Sequence, residues 1–107
     1  MSLYSTVLDN TVSNIFVSNG ENIVTTMYFC NSGNVTAYIS VYAVPAGNIA
    51  SANNAIYYTI PICHHDTYVV EHEKLALDNG DAICANITSP TVDANVRVVA
   101  TVSSYGV

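Results

Sequence analysis

Side-chain polarity alternates with a period of two along several stretches of this chain. Between residues 36 and 43, apolar side chains alternate with Thr, Tyr and Ser, and residues 83–88 and 96–103 show a similar alternation. A period of two is typical of a β-strand with one buried face, whereas an amphipathic helix repeats every 3.6 residues. The chain is also rich in Val and contains 8 Tyr, residue types that pack well on pleated surfaces. The sequence therefore predicts an all-β protein.

Turn-forming residues separate these runs at Asn19-Gly20, Pro45–Asn48 and Asp78–Asp81. The segment Asn31–Asn34, with the sequence Asn-Ser-Gly-Asn, lies between two long strands and predicts a hairpin with Gly33 at positive φ. Residues 48–54 are rich in Ala, Ser and Asn, and we expect a loose loop there. Strands are expected near residues 3–8, 12–18, 22–31, 35–44, 55–62, 67–72, 81–88 and 95–104.

This spacing, without a helical stretch, favours an antiparallel β-sandwich of Ig-like or jelly-roll type with seven or eight strands. A length of 107 residues is that of one domain, residues 1–107, in which residues 1–10 form either a first strand or an N-terminal arm. The side chains that we expect in the core are those of Val17, Met27, Phe29, Ile39, Val41, Ile60, Val69, Leu75, Leu77, Ile83, Ile87, Val96, Val98 and Val102.

The charge balance excludes several classes of partner. The chain has 8 acidic residues and 2 basic ones, which gives a net charge of −6. Binding to DNA or RNA needs a basic surface that neutralises phosphates, and an anionic membrane needs the same, so neither partner is expected. No stretch has the 18 consecutive apolar residues of a membrane-spanning helix. The first residues lack the basic and apolar regions of a secretory signal, so we expect folding in a cytosol.

Residues that could support chemistry are few. His64, His65 and Asp66, with His72 nearby, form the densest group of potential metal ligands. Adjacent residues on a strand face opposite sides, so His64 and His65 cannot both point to one ion without a bend, and we predict no metal site. The spacing of Cys30, Cys63 and Cys84 fits no metal motif, and we expect three small buried residues.

The sequence contains neither a Gly-x-Ser-x-Gly elbow nor a Gly-rich phosphate loop. We therefore predict that the protein is not an enzyme and that it uses no cofactor.

Tyrosines are the more informative residues. Tyr38 and Tyr42 fall on the strand face opposite Ile39, and of the adjacent Tyr57 and Tyr58 one must point outward. Outward aromatic rings fit a protein interface or a sugar-stacking surface, and they also fit ordinary packing of one sheet on another. The candidate interface residues are Leu3, Tyr4, Tyr38, Tyr42, Tyr57 and Tyr58.

Three stretches together carry a resemblance to a known group of proteins. They are Leu3–Leu8 (Leu-Tyr-Ser-Thr-Val-Leu), Tyr38–Pro45, which ends in Val-Tyr-Ala-Val-Pro, and Thr67–Asp81. This pattern resembles small virion structural proteins of tailed bacteriophages, particularly phages of cyanobacteria and other aquatic bacteria. The matching features are strands and turns rather than catalytic residues.

The resemblance implies a capsid decoration or cement protein that is assembled in the host cytoplasm and stabilises the head of the virion. Its partners would be the major capsid protein and its own copies, and a homotrimer suits the three-fold positions of a capsid lattice. A tail, baseplate or fibre adaptor bound to a tail protein is the first alternative. A carbohydrate-binding module for host surface glycans is the second, and a metal-binding protein that uses His64, His65 and His72 is the third.

Overall fold

The computed structural model describes residues 2–70, 75–93 and 95–106 and confirms an all-β fold. Two antiparallel sheets pack face to face. The first sheet contains β1 (Ser2–Val7), β9 (Val98–Gly106), β3 (Asn22–Asn31), β6 (Thr67–Val70) and β7 (Leu75–Leu77). The second sheet contains β2 (Ser13–Val17), β8 (Ala82–Ser89), β4 (Ala37–Val44) and β5 (Ala55–Ile62). Before β5 the chain forms a short 3-10 turn, Ala52–Asn54.

The strand pairs are nested along the chain. Strand β4 pairs with β5, β3 with both β6 and β7, β2 with β8, and β1 with β9. The chain thus forms one long antiparallel ribbon that is wound into two sheets, which is the arrangement of a jelly roll. Of the two sandwich types expected from the sequence, the structure has the jelly roll. Residues 2–7 form its first strand.

The core lies between the two inner sheet faces. Phe29 from the first sheet and Ile39, Ile83 and Ile87 from the second are completely buried. Most of the predicted core is confirmed, with Ile60 and Leu75 packed against it as partly buried residues. Complete burial of each large apolar side chain contributes roughly 1.5–3 kcal/mol to stability, so this core is the main source of folding free energy.

The predictions that Val17 and Val69 are core residues were wrong. In β2 the register shifts between Asn14 and Phe16, so the consecutive residues Ile15 and Phe16 are both buried and Val17 faces outward. Val69 pairs with Tyr28 on the outer face of the first sheet, while its neighbours face the core. A run of three apolar residues, Tyr68 to Val70, hides the alternation in the sequence.

The segment Asn31–Asn34 does not form the predicted hairpin. Strand β3 belongs to the first sheet and β4 to the second, so the segment crosses between the sheets. Gly33 is required there by close packing rather than by positive φ. A Cβ atom at this position would overlap the backbone carbonyl of Asn95 and lie 2.9 Å from the backbone nitrogen of Arg97.

The Asn31 side chain links the two sheets at this crossing. It is completely buried, and its Nδ2 donates to the carbonyl of Val35 and to that of Ile62, each at 2.9 Å. Its Oδ1 accepts a hydrogen bond from the backbone N–H of Gly33 at 3.0 Å. Because Ile62 ends β5, this one amide connects the end of β3 to the opposite sheet and fixes the crossing between them.

Replacement of Asn31 by Ala should destabilise the protein by about 2–4 kcal/mol, because it leaves buried backbone groups without partners. The matched control is Asn34→Ala, three residues away on an exposed side chain, which should change stability by no more than about 0.5 kcal/mol. Chemical denaturation of the two variants measures both effects. Equal stabilities for the two variants would contradict the role assigned to Asn31.

Candidate interaction surface

The nine strands of the described residues contain no charged side chain. Asp, Glu and Arg occur there only in connections between strands, at positions 9, 21, 66, 78, 81, 93 and 97. The outer faces of both sheets are therefore covered by Ser, Thr, Asn, Tyr and apolar groups. Interface centres are depleted in charged residues relative to the rest of a protein surface, so these strand surfaces are candidate binding sites.

The outer face of the first sheet is continuous across four strands. Directly paired residues lie on the same face of a sheet, and the pairing therefore defines rows of neighbouring side chains. One row is Ser5–Thr101–Tyr28–Val69 and the next is Val7–Val99–Cys30–Thr67. We call these eight residues the neutral face.

Several side chains of the neutral face are exposed and apolar, namely Val7, Tyr28 and Val69. Sequence reasoning did not select Tyr28 as an interface residue. The alternation of Tyr28 with the buried Met27 and Phe29 is the signal that could have identified it. The structure therefore adds Tyr28 to the candidate interaction residues.

The predicted interface residues Leu3 and Tyr4 lie on β1, at the edge of the first sheet. Leu3 is 69% exposed, the largest value among the predicted residues. Tyr4 points to the other side of the strand, and its ring packs edge-on against Phe16 of β2 with ring centroids 5.0 Å apart. Tyr4 thus joins the two sheets at this edge while part of its ring stays exposed.

The predicted tyrosines of the second sheet differ in how far their side chains are exposed. Tyr38 and Tyr58 are exposed, and Tyr58 is the more exposed of the two at 59%. Tyr57 is half-buried, and its ring packs edge-on against that of Tyr68 at 5.9 Å. Tyr57 and Tyr58 therefore do not form a joint stacking surface for a sugar.

Tyr42 does not face solvent, and its selection as an exposed interface residue was wrong. Its side chain is only 6% exposed and forms a second small cluster with Val44, Ala82 and Cys84, covered by Ala50 and Ala55. The residues before β5 cover this part of the outer sheet face. The expected apposition of Tyr38 and Tyr42 on one exposed face therefore does not exist.

The segment that covers Tyr42 is ordered by its own hydrogen bonds. Ser51 caps the 3-10 turn by accepting a hydrogen bond from the backbone N–H of Asn53, and Oδ1 of Asn54 accepts one from the backbone N–H of Ser51. Asn54 also donates to the carbonyl of Ile49 at 2.9 Å. Within residues 48–54, which we expected to be a loose loop, Ala52–Asn54 form a 3-10 turn capped by Ser51.

The six predicted interface residues therefore do not form one site. Leu3 and Tyr4 lie on β1 in the first sheet, and the four tyrosines lie on β4 and β5 in the second sheet. Strand β1 is next to β2, at the opposite side of the second sheet from β5. Leu3 is the predicted residue that joins the neutral face, since it precedes Ser5 and Val7 on the same side of β1.

His64 and His65 lie in the turn after β5, and both are exposed. Their rings contact each other edge-on with centroids 5.2 Å apart, and His65 has a positive φ of 62°. Among the described residues, no group of three potential metal ligands converges on one point. His72 lies outside the described residues.

The three cysteines are free thiols, and the prediction that all are buried was wrong for Cys30 and Cys63, which are exposed. Cys84 is buried beside Tyr42 and donates to Oδ1 of Asn14 at 2.9 Å. Removal from water raises the pKa of the Cys84 thiol above its ordinary value. The thiol is therefore kept protonated, as a packing group rather than a nucleophile.

A shallow groove of about 450 Å³ runs along the outer face of the second sheet beside Cys84. Val12, Val17, Val44 and Ile49 contribute to its apolar lining. The lining contains neither an aromatic ring nor a charged side chain. Such a groove offers apolar contact but little to orient a polar ligand.

Comparison with known proteins identifies no relative. No protein-family model matches the chain, and neither a characterised protein nor a solved structure shows significant similarity to it. The described part of the chain includes no helix of the length and hydrophobicity needed to cross a membrane.

Substitution of the buried Tyr42 should cost much more stability than substitution of the exposed Tyr38 on the same strand. Tyr42→Ala removes a ring from the cluster under the capped turn and should destabilise the protein by about 3 kcal/mol. Tyr38→Ala, as the matched control, should cost less than about 1 kcal/mol. Thermal or chemical unfolding of both variants makes the comparison, and equal losses would contradict the burial described for Tyr42.

Proposed function

We propose that this protein is a structural component of a bacteriophage virion, a decoration or cement protein that binds the capsid shell in many copies. The observation that carries the proposal is the neutral face, which places exposed Val7, Tyr28 and Val69 on one continuous, uncharged sheet surface. Covering apolar and hydroxyl-bearing groups with a partner protein costs less desolvation free energy than covering charged groups.

The neutral face suits binding to a lattice of repeated subunits, where weak contacts are multiplied by the number of copies. A single contact that covers part of one sheet face is small compared with the 1,200–2,000 Å² or so of a stable interface. When many copies bind a shell of repeated subunits, modest contacts act together and the assembled particle gains avidity. The proposed partners are therefore the major capsid protein and further copies of this chain, including a trimer at three-fold positions.

The fold supports the proposal by analogy. Jelly rolls are common in viral capsid domains, and they also occur in lectins. Because one fold supports many functions, the fold alone selects neither. The resemblance in Leu3–Leu8, Tyr38–Pro45 and Thr67–Asp81 to phage virion proteins favours the virion, with a tail, baseplate or fibre adaptor as the alternative position.

Removal of the gene should weaken the particle without preventing infection. Virions of the phage that encodes this chain should contain it in many copies, as measured by quantitative mass spectrometry. Particles from a deletion strain should release their DNA at a lower temperature and still adsorb to host cells. Purified protein added to deletion particles should restore heat stability.

Two charge variants test whether the neutral face performs this function. Tyr28→Asp places a carboxylate in the middle of the face and should abolish restoration, because its desolvation is unfavourable. Asn48→Asp adds the same charge on an exposed connection and should restore stability as well as the unmodified protein. Absence of the chain from purified particles would contradict the proposal. Deletion particles that keep their heat stability but fail to adsorb would replace it with a tail or glycan-binding role.

A further inference from the structure

Three of the four sheet edges of the described residues are irregular. Strand β2 has five residues and a shift in register, and β5 has two shifts, a positive φ at Thr59 and a proline at position 61. The remaining edge of the first sheet contains β6 and β7, and the register changes between them, since Val70 and Leu75 are five positions apart while their partners Met27 and Val24 are three apart. Bulges, prolines and short strands are the usual devices that prevent one sheet edge from pairing with another.

Strand β1 has none of these features. Its six residues pair with β9 in one uninterrupted register from Ser2 to Val7, and they include neither a proline nor a charged residue. The outward side chains Leu3 and Val7 are 69% and 52% exposed. The edge of β1 is therefore regular, neutral and apolar, which is the combination that favours addition of another strand.

The hydrogen-bonding pattern shows which backbone groups of β1 are free. The N–H of Leu8 donates to the carbonyl of Val98 at 2.9 Å, immediately after the paired strands. In an antiparallel pair every second residue bonds to the same neighbour, so Tyr4 and Thr6 bond to β9. The N–H and C=O groups of the odd-numbered residues, Leu3, Ser5 and Val7, face the open edge.

We propose that β1 pairs antiparallel with β1 of a second copy of this chain, around a two-fold axis at Ser5. In this register all three free residues take part, with Leu3 opposite Val7 of the partner and Ser5 opposite its own equivalent. The three residues of each copy form up to about six hydrogen bonds across the axis. Leu3 and Val7 cover each other on the outer side, and the first sheets of the two copies become one sheet.

A second copy is the partner that the edge fits best. Pairing of β1 with a different edge of the same chain would form an open chain of subunits, but the other described edges are too irregular to receive it. Pairing of β1 with β1 of a second copy is isologous and closes after two subunits. Each copy has a net charge of −6, and β1 itself carries none of it, so the two copies meet where like charges do not face each other.

This inference deepens the proposed function, since it names one partner for an edge of the structural protein. The contact is smaller than a standard interface of about 1,600 Å², so the dimer is weak in solution and forms at high protein concentration. The pairing of β1 closes after two subunits, so a trimer of the same protein would have to form through the sheet faces. Whether the dimer forms can be measured on the purified chain, independently of any particle.

The first test removes one free N–H of the edge. Ser5→Pro deletes the N–H at the two-fold axis in both copies and leaves the bonds of Tyr4 and Thr6 to β9 in place, because proline is tolerated at an edge position that faces solvent. Ser5→Ala is the matched control, since it removes only the hydroxyl that contacts Thr101 at 3.2 Å. Sedimentation equilibrium should show dimers of the unmodified chain and of Ser5→Ala. The dissociation constant of the Ser5→Pro dimer should be higher by about tenfold or more.

A cross-linking test does not depend on the folding of the proline variant. In a chain with Cys30→Ser and Cys63→Ser, Ser5→Cys places two thiols across the axis, with Cα atoms about 5.5 Å apart and within disulfide range. Oxidised glutathione should therefore convert the Ser5→Cys variant to a covalent dimer. Leu3→Cys should not cross-link to its equivalent, which lies four residues along the partner strand and more than about 12 Å away.

The outcomes separate this inference from the proposed function. An unmodified chain that stays monomeric at about 1 mM, or Leu3→Cys that cross-links as readily as Ser5→Cys, would overturn the pairing. If that monomer still restores the heat stability of deletion particles, the proposed function stands without the dimer. If the chain dimerises through Ser5 but is absent from particles, the dimer stands and the virion proposal fails.

Discussion

The two antiparallel sheets are held together by packing of their inner faces against each other. Phe29, Ile39, Ile87 and Val98 are completely buried between the sheets, and the three cysteines add no cross-link because all are free thiols. Burial of these apolar side chains provides the driving force for folding. The same chain must cover the outer faces with water-compatible groups, and in the described strands it does so without a charge. The outer surface is therefore polar through hydroxyls and amides, and covering it with another protein costs less desolvation free energy than covering charged groups.

The crossing at Asn31 shows how a polar group supports this apolar fold. The side chain satisfies backbone groups that would otherwise be buried without partners, and Gly33 lets the chain pass close to Asn95. The two features have the same consequence, since they fix how the end of β3 meets the second sheet. The crossing that stabilises the fold lies at one end of β3, on a different strand from the open edge of β1.

The sequence was most informative where alternation is regular and least informative where tertiary contacts override it. Strands 22–31 and 55–62 were predicted with their observed bounds, because apolar and turn-forming residues mark them clearly. Val17 was misplaced because a bulge changes which face of β2 is buried, and a bulge leaves little trace in a single sequence. Tyr42 was misplaced because the segment that contains Ala50 and Ala55 folds over it. The importance of the β1 edge depends on the irregularity of the other edges, which only the register of the paired strands shows.

The proposed pairing of two copies depends on the uncharged, regular edge of β1, where Leu3, Ser5 and Val7 have free backbone groups. Amide hydrogen exchange, measured for each residue by NMR, tests this pairing. We expect the N–H groups of Leu3, Ser5 and Val7 to exchange quickly in dilute protein and to become protected as the concentration rises, while those of Tyr4 and Thr6 are protected throughout by β9. Rapid exchange of Leu3, Ser5 and Val7 at every concentration would show that the β1 strands of two copies do not pair.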